Sequence, residues 1–371
     1  MQTFWVSLKE DLSLTDRLMI FCALALAVWG VVCIYSAASG TAGHGFDYAF
    51  RQAAWLSVSV AAMLAVMIIG HDKMLEGAYP LFGLTLLLLL LTLLAPKVNG
   101  AQSWLGIGGV RFQPSEFAKV TIILMMSKFM SRYPPLDFKT FMMCLGVIML
   151  PVFLVLIQPD AGSALVYLVI SFGMLLAAGT PMKYLLGLAG LGLSAIPVMF
   201  MFGLKEYQKN RILVFIDPMR DPLGAGYNVI QSRIAVGSGG MTGKGFMMGT
   251  QSKLKFLPEP HTDFIFSVFS EEFGFIGNMI LIVLFSVLLC RVIMAGVRSK
   301  ERRCKILVAG VASWLWFQMC ESMGMSIGLL PITGLPLPFL SYGGSSLLAS
   351  FIALGLVASI YIEGGNSRHG F

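Results

Sequence analysis

Several charged side chains lie where long apolar stretches of this chain begin, and their types suit proton transfer and anion binding. The segment 257–263, Leu-Pro-Glu-Pro-His-Thr-Asp, closes a polar interval that starts at Lys205, and it leads into an apolar run. A carboxylate at this boundary, that of Asp263, is placed to accept a proton from a hydroxyl group at the water interface, as a general base does. The alternative is structural: Thr262 or Asp263 caps the helix that follows.

A second charged group opens another apolar run. In the stretch 111–119, Arg-Phe-Gln-Pro-Ser-Glu-Phe-Ala-Lys, Glu116 and Lys119 stand three residues apart and therefore share one helix face. Either both side chains face a polar cavity, or Glu116 stabilises the helix start while Lys119 snorkels outward. Asp160, in Gln-Pro-Asp at 158–160, either caps the next helix or belongs to the same cavity.

The polar interval also contains a glycine-rich stretch, Gly-Ser-Gly-Gly-Met-Thr-Gly-Lys-Gly at 237–245. It fails the phosphate-loop pattern because Ser238 replaces a glycine and Gly245 replaces the Ser or Thr that must follow the lysine. Two interpretations stay open: backbone amides and Lys244 bind an anion, or the stretch is a flexible loop. Three acidic residues within apolar runs need water or partners there: Glu271, Glu272 and Glu321.

Membrane helices must position these side chains. Of 371 residues, 57% are hydrophobic and only 12% are charged, and the mean hydropathy is +0.81; soluble domains carry about 25% charged residues. The apolar runs are far too long for barrel strands, so the sequence predicts an all-α integral membrane protein. About ten transmembrane helices fit, at roughly 18–36, 53–70, 78–95, 114–130, 140–157, 162–179, 184–203, 264–290, 306–328 and 341–362.

Lysine and arginine are concentrated in every second connection, most densely at 291–305. This distribution predicts that both termini are cytoplasmic and that one large loop, 204–263 between spans seven and eight, is extracytoplasmic. The chain 1–371 is expected to form a single polytopic membrane domain without a cleavable signal peptide. The six cysteines lie in or beside apolar runs without metal-type spacing, so neither a disulfide nor a metal cluster is expected.

Several motifs together resemble the SEDS family (shape, elongation, division, sporulation) over residues 18–362. They lie, in order, at 112–116, 158–160, 221–227, 237–245, 257–264 and 336–346. The resemblance implies a peptidoglycan glycosyltransferase that polymerises lipid II at the outer face of the bacterial inner membrane during cell elongation. A class B penicillin-binding protein is the implied partner. The family's essential aspartate falls on Asp263, and its span-four charged pair falls on Glu116 and Lys119.

Such a substrate carries its own activated bond, so no ATP is required at the outer face. The resemblance implies that the acceptor hydroxyl attacks the donor sugar while Asp263 acts as the catalytic base and pyrophosphate leaves. The leaving group needs cations, backbone donors or a divalent cation (Mg²⁺ or Mn²⁺) held by carboxylates, although no metal-ligand spacing is visible. The candidate substrate-binding residues are Arg111, Glu116, Lys119, Asp160, Arg211 and Lys244.

Two other functions stay open. A lipid II flippase would also use charges within the membrane, but it needs a site open to the cytoplasm, where the predicted loops are short and merely basic. The division-specific member of the family shares these motifs, whereas the short N-terminal tail and the loop sequences favour the elongation member. One departure from the family pattern stands in span nine, where Ser322 beside Glu321 replaces the usual Asn.

Overall fold

Long helices make up most of the chain in the computed structural model, which describes residues 15–39, 45–95, 103–107, 110–198, 200–201, 206–222, 224–254 and 256–369. An apolar chain in lipid forms helices because each helix satisfies its own backbone hydrogen bonds. The helices are α1 (Arg17–Ser39), α2 (Gly45–Ile69), α3 (His71–Glu76), α4 (Ala78–Thr92), α5 (Pro114–Arg132), α6 (Phe138–Ile157), α7 (Ala161–Ala177), α8 (Met182–Val198), α9 (Glu206–Ile216), α10 (Ala225–Ser238), α11 (Thr250–Lys253), α12 (Ile265–Arg298), α13 (Arg302–Ile327) and α14 (Gly344–His369).

A small hairpin stands between α4 and α5. Its strands, β1 (Leu105–Ile107) and β2 (Val110–Phe112), pair antiparallel with Leu105 opposite Phe112. A one-turn 3₁₀ helix, Pro218–Arg220, precedes α10. The predicted helical class is therefore confirmed, with this hairpin as the regular structure that was not predicted.

Six helices in the described ranges are long and apolar enough to cross a membrane: α1, α2, α6, α12, α13 and α14. Two shorter apolar helices, α4 and α7, accompany them. Each of the ten predicted spans overlaps a helix, although α2 begins at Gly45, about two turns before the predicted edge. In the most apolar 18-residue stretch of α13 and of α14, 61% and 72% of the residues are buried inside the protein. In the corresponding stretches of the other four helices, 44% or less are buried. These two helices therefore form the centre of the bundle.

Helix α12 is interrupted at Gly274, a break that the sequence pattern does not predict. Gly274 has φ 65° and ψ −162°, a conformation that glycine adopts without steric cost. A Cβ at Gly274 would lie 2.2 Å from the backbone nitrogen of Gly243, and one at Gly243 would lie 2.0 Å from the carbonyl oxygen of Glu272. The backbone of the glycine-rich stretch therefore packs directly against the break in α12.

Backbone hydrogen bonds join the glycine-rich stretch 237–245 to this break. The N–H groups of Lys244 and Gly245 donate to the carbonyl oxygens of Glu271 and Glu272, each at 3.0 Å. Two N–H groups just after the break donate back to carbonyls of the stretch, at 2.9 and 3.0 Å. These amides are already used by the protein, and the stretch is anchored. The flexible-loop interpretation does not agree with this packing, and the amides of Lys244 and Gly245 are not available to an anion. Anion binding by the rest of the stretch and by the side chain of Lys244 stays a prediction.

The segment 328–343 between α13 and α14 contains no helix, because its prolines and glycines cannot continue one. Gln52 of α2 holds it: the side-chain amide donates to the carbonyl of Ser341 and accepts from the N–H of Gly343, both at 3.2 Å. Protein covers this irregular backbone, as lipid requires. Four of its apolar side chains are at most 4% exposed: Leu335, Leu337, Phe339 and Leu340.

Candidate active site

Asp263 lies in a turn immediately before α12. The helix begins at Ile265, and Phe264 holds its N-cap position. The chain bends at the start of this turn, where Glu259 has a φ of 43°. The structural alternative, in which Thr262 or Asp263 is the helix cap, does not agree with this helix start. The turn instead presents Asp263 ahead of the helix.

Contacts with the segment 328–343 hold the turn in place. The N–H of Tyr342 donates to the carbonyl of His261 at 2.9 Å, and the hydroxyl of Ser341 donates to the carbonyl of Thr262 at 2.8 Å. The rings of Tyr48 and Tyr342 pack against the imidazole, with centroids 4.7 and 5.6 Å away. Burial lowers the pKa of His261 below its usual range, with partial opposition from the nearby Glu259. The imidazole therefore favours its neutral form.

Gly334 lies directly beside the carboxylate of Asp263. A Cβ on Gly334 would be 3.3 Å from Asp263 Oδ2, and its φ is +76°. A glycine therefore allows the backbone to approach the carboxylate in a conformation that other residues rarely adopt. The irregular segment 328–343 forms one wall of the site around Asp263.

A second carboxylate, that of Glu321 on α13, lies against this wall. Glu321 is 2% exposed, accepts a hydrogen bond from the hydroxyl of Thr333, and interacts electrostatically with Asp263. Its other oxygen, Oε2, has no hydrogen-bond partner in the part of the chain that the structure describes. The prediction that Glu321 needs a partner is confirmed: the partner is Thr333, which precedes Gly334 in the chain.

Glu116 and Lys119 form an ion pair inside the protein. Lys119 Nζ lies 2.7 Å from Glu116 Oε2, 3.3 Å from Gln318 Oε1 and 4.7 Å from the ring centroid of Trp314. Both side chains of the pair are at most 3% exposed. Lys119 therefore does not snorkel outward, and this alternative is wrong. The pair joins α5 to α13 in the interior.

Gln318 connects this pair to the wall around Asp263. Its amide nitrogen donates to the carbonyl of Pro336 at 3.2 Å, and its oxygen accepts from both Lys119 and Trp314. Pro336 is two residues after Gly334 in the same irregular segment. Along α13, the buried polar side chains at 314, 318 and 321 follow a helical spacing. One face of α13 therefore carries both halves of the site.

Asp160 has the first of its two predicted roles, that of a helix cap. It caps α7 by accepting from the N–H of Ser163 at 3.0 Å and from its hydroxyl at 2.7 Å. The charges of Glu116 and Lys119 also act on it, so it lies in the same polar neighbourhood as the pair. The charged cluster on this side of the bundle therefore includes three predicted residues.

Lys244 forms an ion pair with Glu271 of α12. It lies 2.6 Å from Glu271 Oε1 and 2.9 Å from the hydroxyl of Thr250. Glu271 is fully buried and also accepts the N–H groups of Thr250 and Gln251. Glu272 accepts a hydrogen bond from Ser36. The charge of Lys244 is thus matched by a buried carboxylate that organises the loop around it.

The two predicted arginines are placed only by their backbones. Arg111 lies in β2, directly before α5, and Arg211 lies in α9; their side chains fall outside the described part of the structure. Sequence reasoning assigned no role to Gln318, Thr333 or Gly334. Polar residues at helical spacing in an apolar span are the signal that points to Gln318.

The chain matches the family model described as "Cell cycle protein", FtsW/RodA/SpoVE, over residues 16–364. It is 37% identical to the peptidoglycan glycosyltransferase MrdB of Escherichia coli K12, covering 97% of this chain and 95% of that protein. It is 35% identical to the stage V sporulation protein E of Bacillus subtilis, covering 93% and 96%.

Solved structures agree. The rod shape determining protein RodA of Thermus thermophilus superposes with a TM-score of 0.71 at 29% identity, over 94% of this chain and 96% of that one. A chain from a peptidoglycan synthase complex that coordinates polymerization and crosslinking gives a TM-score of 0.81 at 32% identity, over 94% and 98%. These matches confirm the resemblance predicted from the motifs: the chain is a multi-pass membrane protein that belongs to the FtsW/RodA/SpoVE, or SEDS, family.

Proposed function

We propose that this chain is a peptidoglycan glycosyltransferase that polymerises lipid II, with Asp263 as the catalytic base. The observation that carries the proposal is the similarity, over 97% of the chain, to an enzyme named for that activity. The geometry supports the assignment because Asp263 stands in a turn that is held in place and interacts with the buried carboxylate of Glu321. The buried cation Lys119 contacts Gln318 on the same face of α13 as Glu321.

In this reaction the acceptor sugar's hydroxyl attacks the anomeric carbon of the donor, and the bond to pyrophosphate breaks. Asp263 takes the proton of the attacking hydroxyl, a role that requires a carboxylate within hydrogen-bond reach of it. Tyr342 and Ser341 fix the turn that carries Asp263, so the carboxylate is held ready and need not be ordered during the reaction.

The leaving pyrophosphate needs positive charge, and Lys119 is the first candidate to supply it. The ammonium group lies between Glu116 and Gln318 on the face of α13 that also carries Glu321. Arg111 in β2 and Arg211 in α9 remain candidates for the same role. Lys244 ranks below them because Glu271 already balances its charge.

A divalent cation held by Asp263 and Glu321 is another candidate source of positive charge. Asp263 and Glu321 offer hard carboxylate oxygens, which Mg²⁺ and Mn²⁺ prefer, and Glu321 Oε2 has no hydrogen-bond partner among the described residues. When bound, such an ion would reduce the repulsion between these carboxylates and an approaching pyrophosphate.

The proposed topology has ten transmembrane helices, both termini in the cytoplasm and the loop 204–263 outside, within the inner membrane. It is supported by the alternation of basic connections and by a helix at each of the ten apolar segments. In this topology Glu116, Asp160 and Asp263 stand at the outer ends of their helices, which agrees with a lipid-linked substrate that is polymerised outside.

The proposed partner is a class B penicillin-binding protein, and the proposed role is cell elongation. The support is the similarity to a chain of a peptidoglycan synthase complex and to RodA. A probable FtsW of Geobacter sp. M18 is also 37% identical over 93% of this chain, so the division role is the second candidate. Rescue of rod shape in cells depleted of their elongation enzyme separates the two.

The experiment that tests the activity uses purified protein and lipid II, with and without the partner. We expect glycan polymers from the wild-type chain with its partner present and none after Asp263→Asn. A lipid II flippase would instead transfer lipid II between the leaflets of vesicles without making polymer, and that result would overturn the proposal.

A further inference from the structure

A second cluster of chemically capable side chains lies far from Asp263, where the α2–α3 corner, the α12–α13 connection and the end of α14 meet. Helix α12 has 34 residues and begins next to Asp263, so its two ends lie roughly 40–50 Å apart. The cluster stands at the far end and has no part in the site described above. Its members are His71, Asp72, Glu301, Cys304 and Glu363.

The donor atoms of this cluster converge. One atom each from His71, Glu301 and Cys304 lie within 4.8 Å of one another, and the same is true of His71, Asp72 and Glu363. Cys304 is 1% exposed and its sulfur lies 3.6 Å from Glu301 Oε2. Ligands of one metal ion must approach each other in this way, whatever their distance along the chain.

The imidazole of His71 points into the cluster and is prepared as a ligand. It is 3% exposed. Its backbone N–H donates to Ser359 Oγ, and its Nδ1 lies 3.0 Å from the same oxygen. With Nδ1–H donating to the hydroxyl, Nε2 carries a free lone pair. Metal-binding histidines are held in this way by a partner on the second ring nitrogen.

The surroundings of Nε2 call for a cation. Nε2 lies 2.9 Å from Glu363 Oε2 and 3.6 Å from Asp72 Oδ1, yet it has no hydrogen-bond partner within the described ranges. A lone pair facing carboxylate oxygens is unfavourable when it is buried. Either a proton on Nε2 or a metal ion between these atoms removes the repulsion.

The charge balance favours an ion with two positive charges. Arg303 pairs with Asp72 at 2.9 Å and with Glu301 at 2.5 Å. Together with Glu363 there are three carboxylates, against the guanidinium of Arg303 and the ammonium group of Lys73, which lines the adjoining cavity. When Cys304 binds as a thiolate, two negative charges remain, and a divalent cation neutralises them.

We infer that His71, Glu301 and Cys304, whose donor atoms converge, bind Zn²⁺, with a water molecule in the fourth position. Imidazole nitrogen, thiolate sulfur and carboxylate oxygen are the ligands that zinc takes, whereas Mg²⁺ and Ca²⁺ prefer oxygen alone. An adjoining cavity of about 350 Å³, lined by residues that include His71, Asp72 and Glu363, provides a path for the ion. Binding releases the thiol proton of Cys304 to solvent. The ion ties the start of α3 to the start of α13, and Ser359 of α14 holds the histidine ligand.

The test uses the purified full-length chain, freed of any affinity tag, and Co²⁺ as a spectroscopic probe. We expect the absorption of tetrahedral Co²⁺ together with a sulfur-to-cobalt charge-transfer band, both removed by added Zn²⁺. Cys304→Ser should lose the charge-transfer band, and His71→Asn should lose binding. The matched control is Cys290→Ser, because Cys290 is exposed on α12; it should keep both signals.

A further variant addresses the second ring nitrogen. Ser359→Ala leaves all three protein ligands in place and should weaken Zn²⁺ binding about 10–100-fold, as loss of such a partner typically does. Zn²⁺ should also raise the thermal unfolding midpoint of the wild type and of Cys290→Ser, but not of His71→Asn. The proposal fails if Co²⁺ shows no tetrahedral spectrum with the wild type, or if the charge-transfer band survives in Cys304→Ser.

Discussion

The buried pair of Glu116 and Lys119 allows a test in which stability and activity respond differently. The two charged atoms are 2.7 Å apart and the side chains are at most 3% exposed. At an effective dielectric constant of about 20, their attraction is about 6 kcal/mol, which is offset by several kcal/mol of lost hydration for each ion. The net contribution of the intact pair is therefore small, but the loss of one partner is costly.

Replacement of one partner leaves the other charge buried and unpaired. Glu116→Gln or Lys119→Met alone should therefore lower the free energy of unfolding by about 3–5 kcal/mol. That is a large share of the roughly 5–15 kcal/mol typical of folded proteins. The double variant removes both charges, and Gln318 keeps Trp314 as a donor, so its stability should return to within about 1–2 kcal/mol of the wild type.

Activity should not return with stability. If Lys119 acts on the pyrophosphate, the double variant folds normally and still makes no glycan from lipid II. Unfolding in mixed micelles with increasing SDS measures the stability, and polymerisation of labelled lipid II measures the activity. A double variant that polymerises at the wild-type rate would show that the pair is structural. A double variant as unstable as the singles would refute the electrostatic argument itself.

Three further predictions follow from the same structure. Asp263→Asn should reduce the polymerisation rate about 10²–10⁴-fold with normal membrane levels, because Phe264 rather than Asp263 is the helix cap; Asp217→Asn is the exposed control, and near-normal rates in Asp263→Asn would exclude the base. A cysteine at Met248, which is 67% exposed, should react with an impermeant thiol reagent in intact spheroplasts, whereas one at Lys300 should not; the reverse pattern would overturn the topology. Gly274→Ala should lower the amount of folded protein in membranes because its Cβ would meet the backbone 2.2 Å away, and wild-type levels would show that the break can relax.

The helices and the candidate residues at their ends could be predicted from the sequence. Runs of apolar residues must form helices in lipid, whatever surrounds them, because the backbone has no other hydrogen-bond partner there. Charged residues at the ends of such runs, such as Glu116, Asp160 and Asp263, stand out because a charged side chain is costly in lipid. The irregular segment 328–343 was also visible, since its prolines and glycines cannot continue a helix.

Contacts between distant segments could not be predicted in the same way. The glycine-rich stretch 237–245 looked free to bind an anion, yet its amides near Lys244 bond to the break in α12 at Gly274. The charge of Lys244 is likewise matched by Glu271. A pattern of glycines shows that a close approach is allowed, but not which backbone makes the approach.

The sequence by itself determined that this chain is a bundle of membrane helices of the SEDS family, with an aspartate at the head of α12. Only the tertiary structure decided that Glu321 lies near Asp263, that Lys119 points inward to Gln318, and that Cys304 meets His71 at the opposite end of the bundle. The physical reason is that contact with lipid and contact with another helix are about equally favourable for an apolar side chain. The faces that meet are therefore selected by packing and by buried polar contacts, which depend on the whole fold.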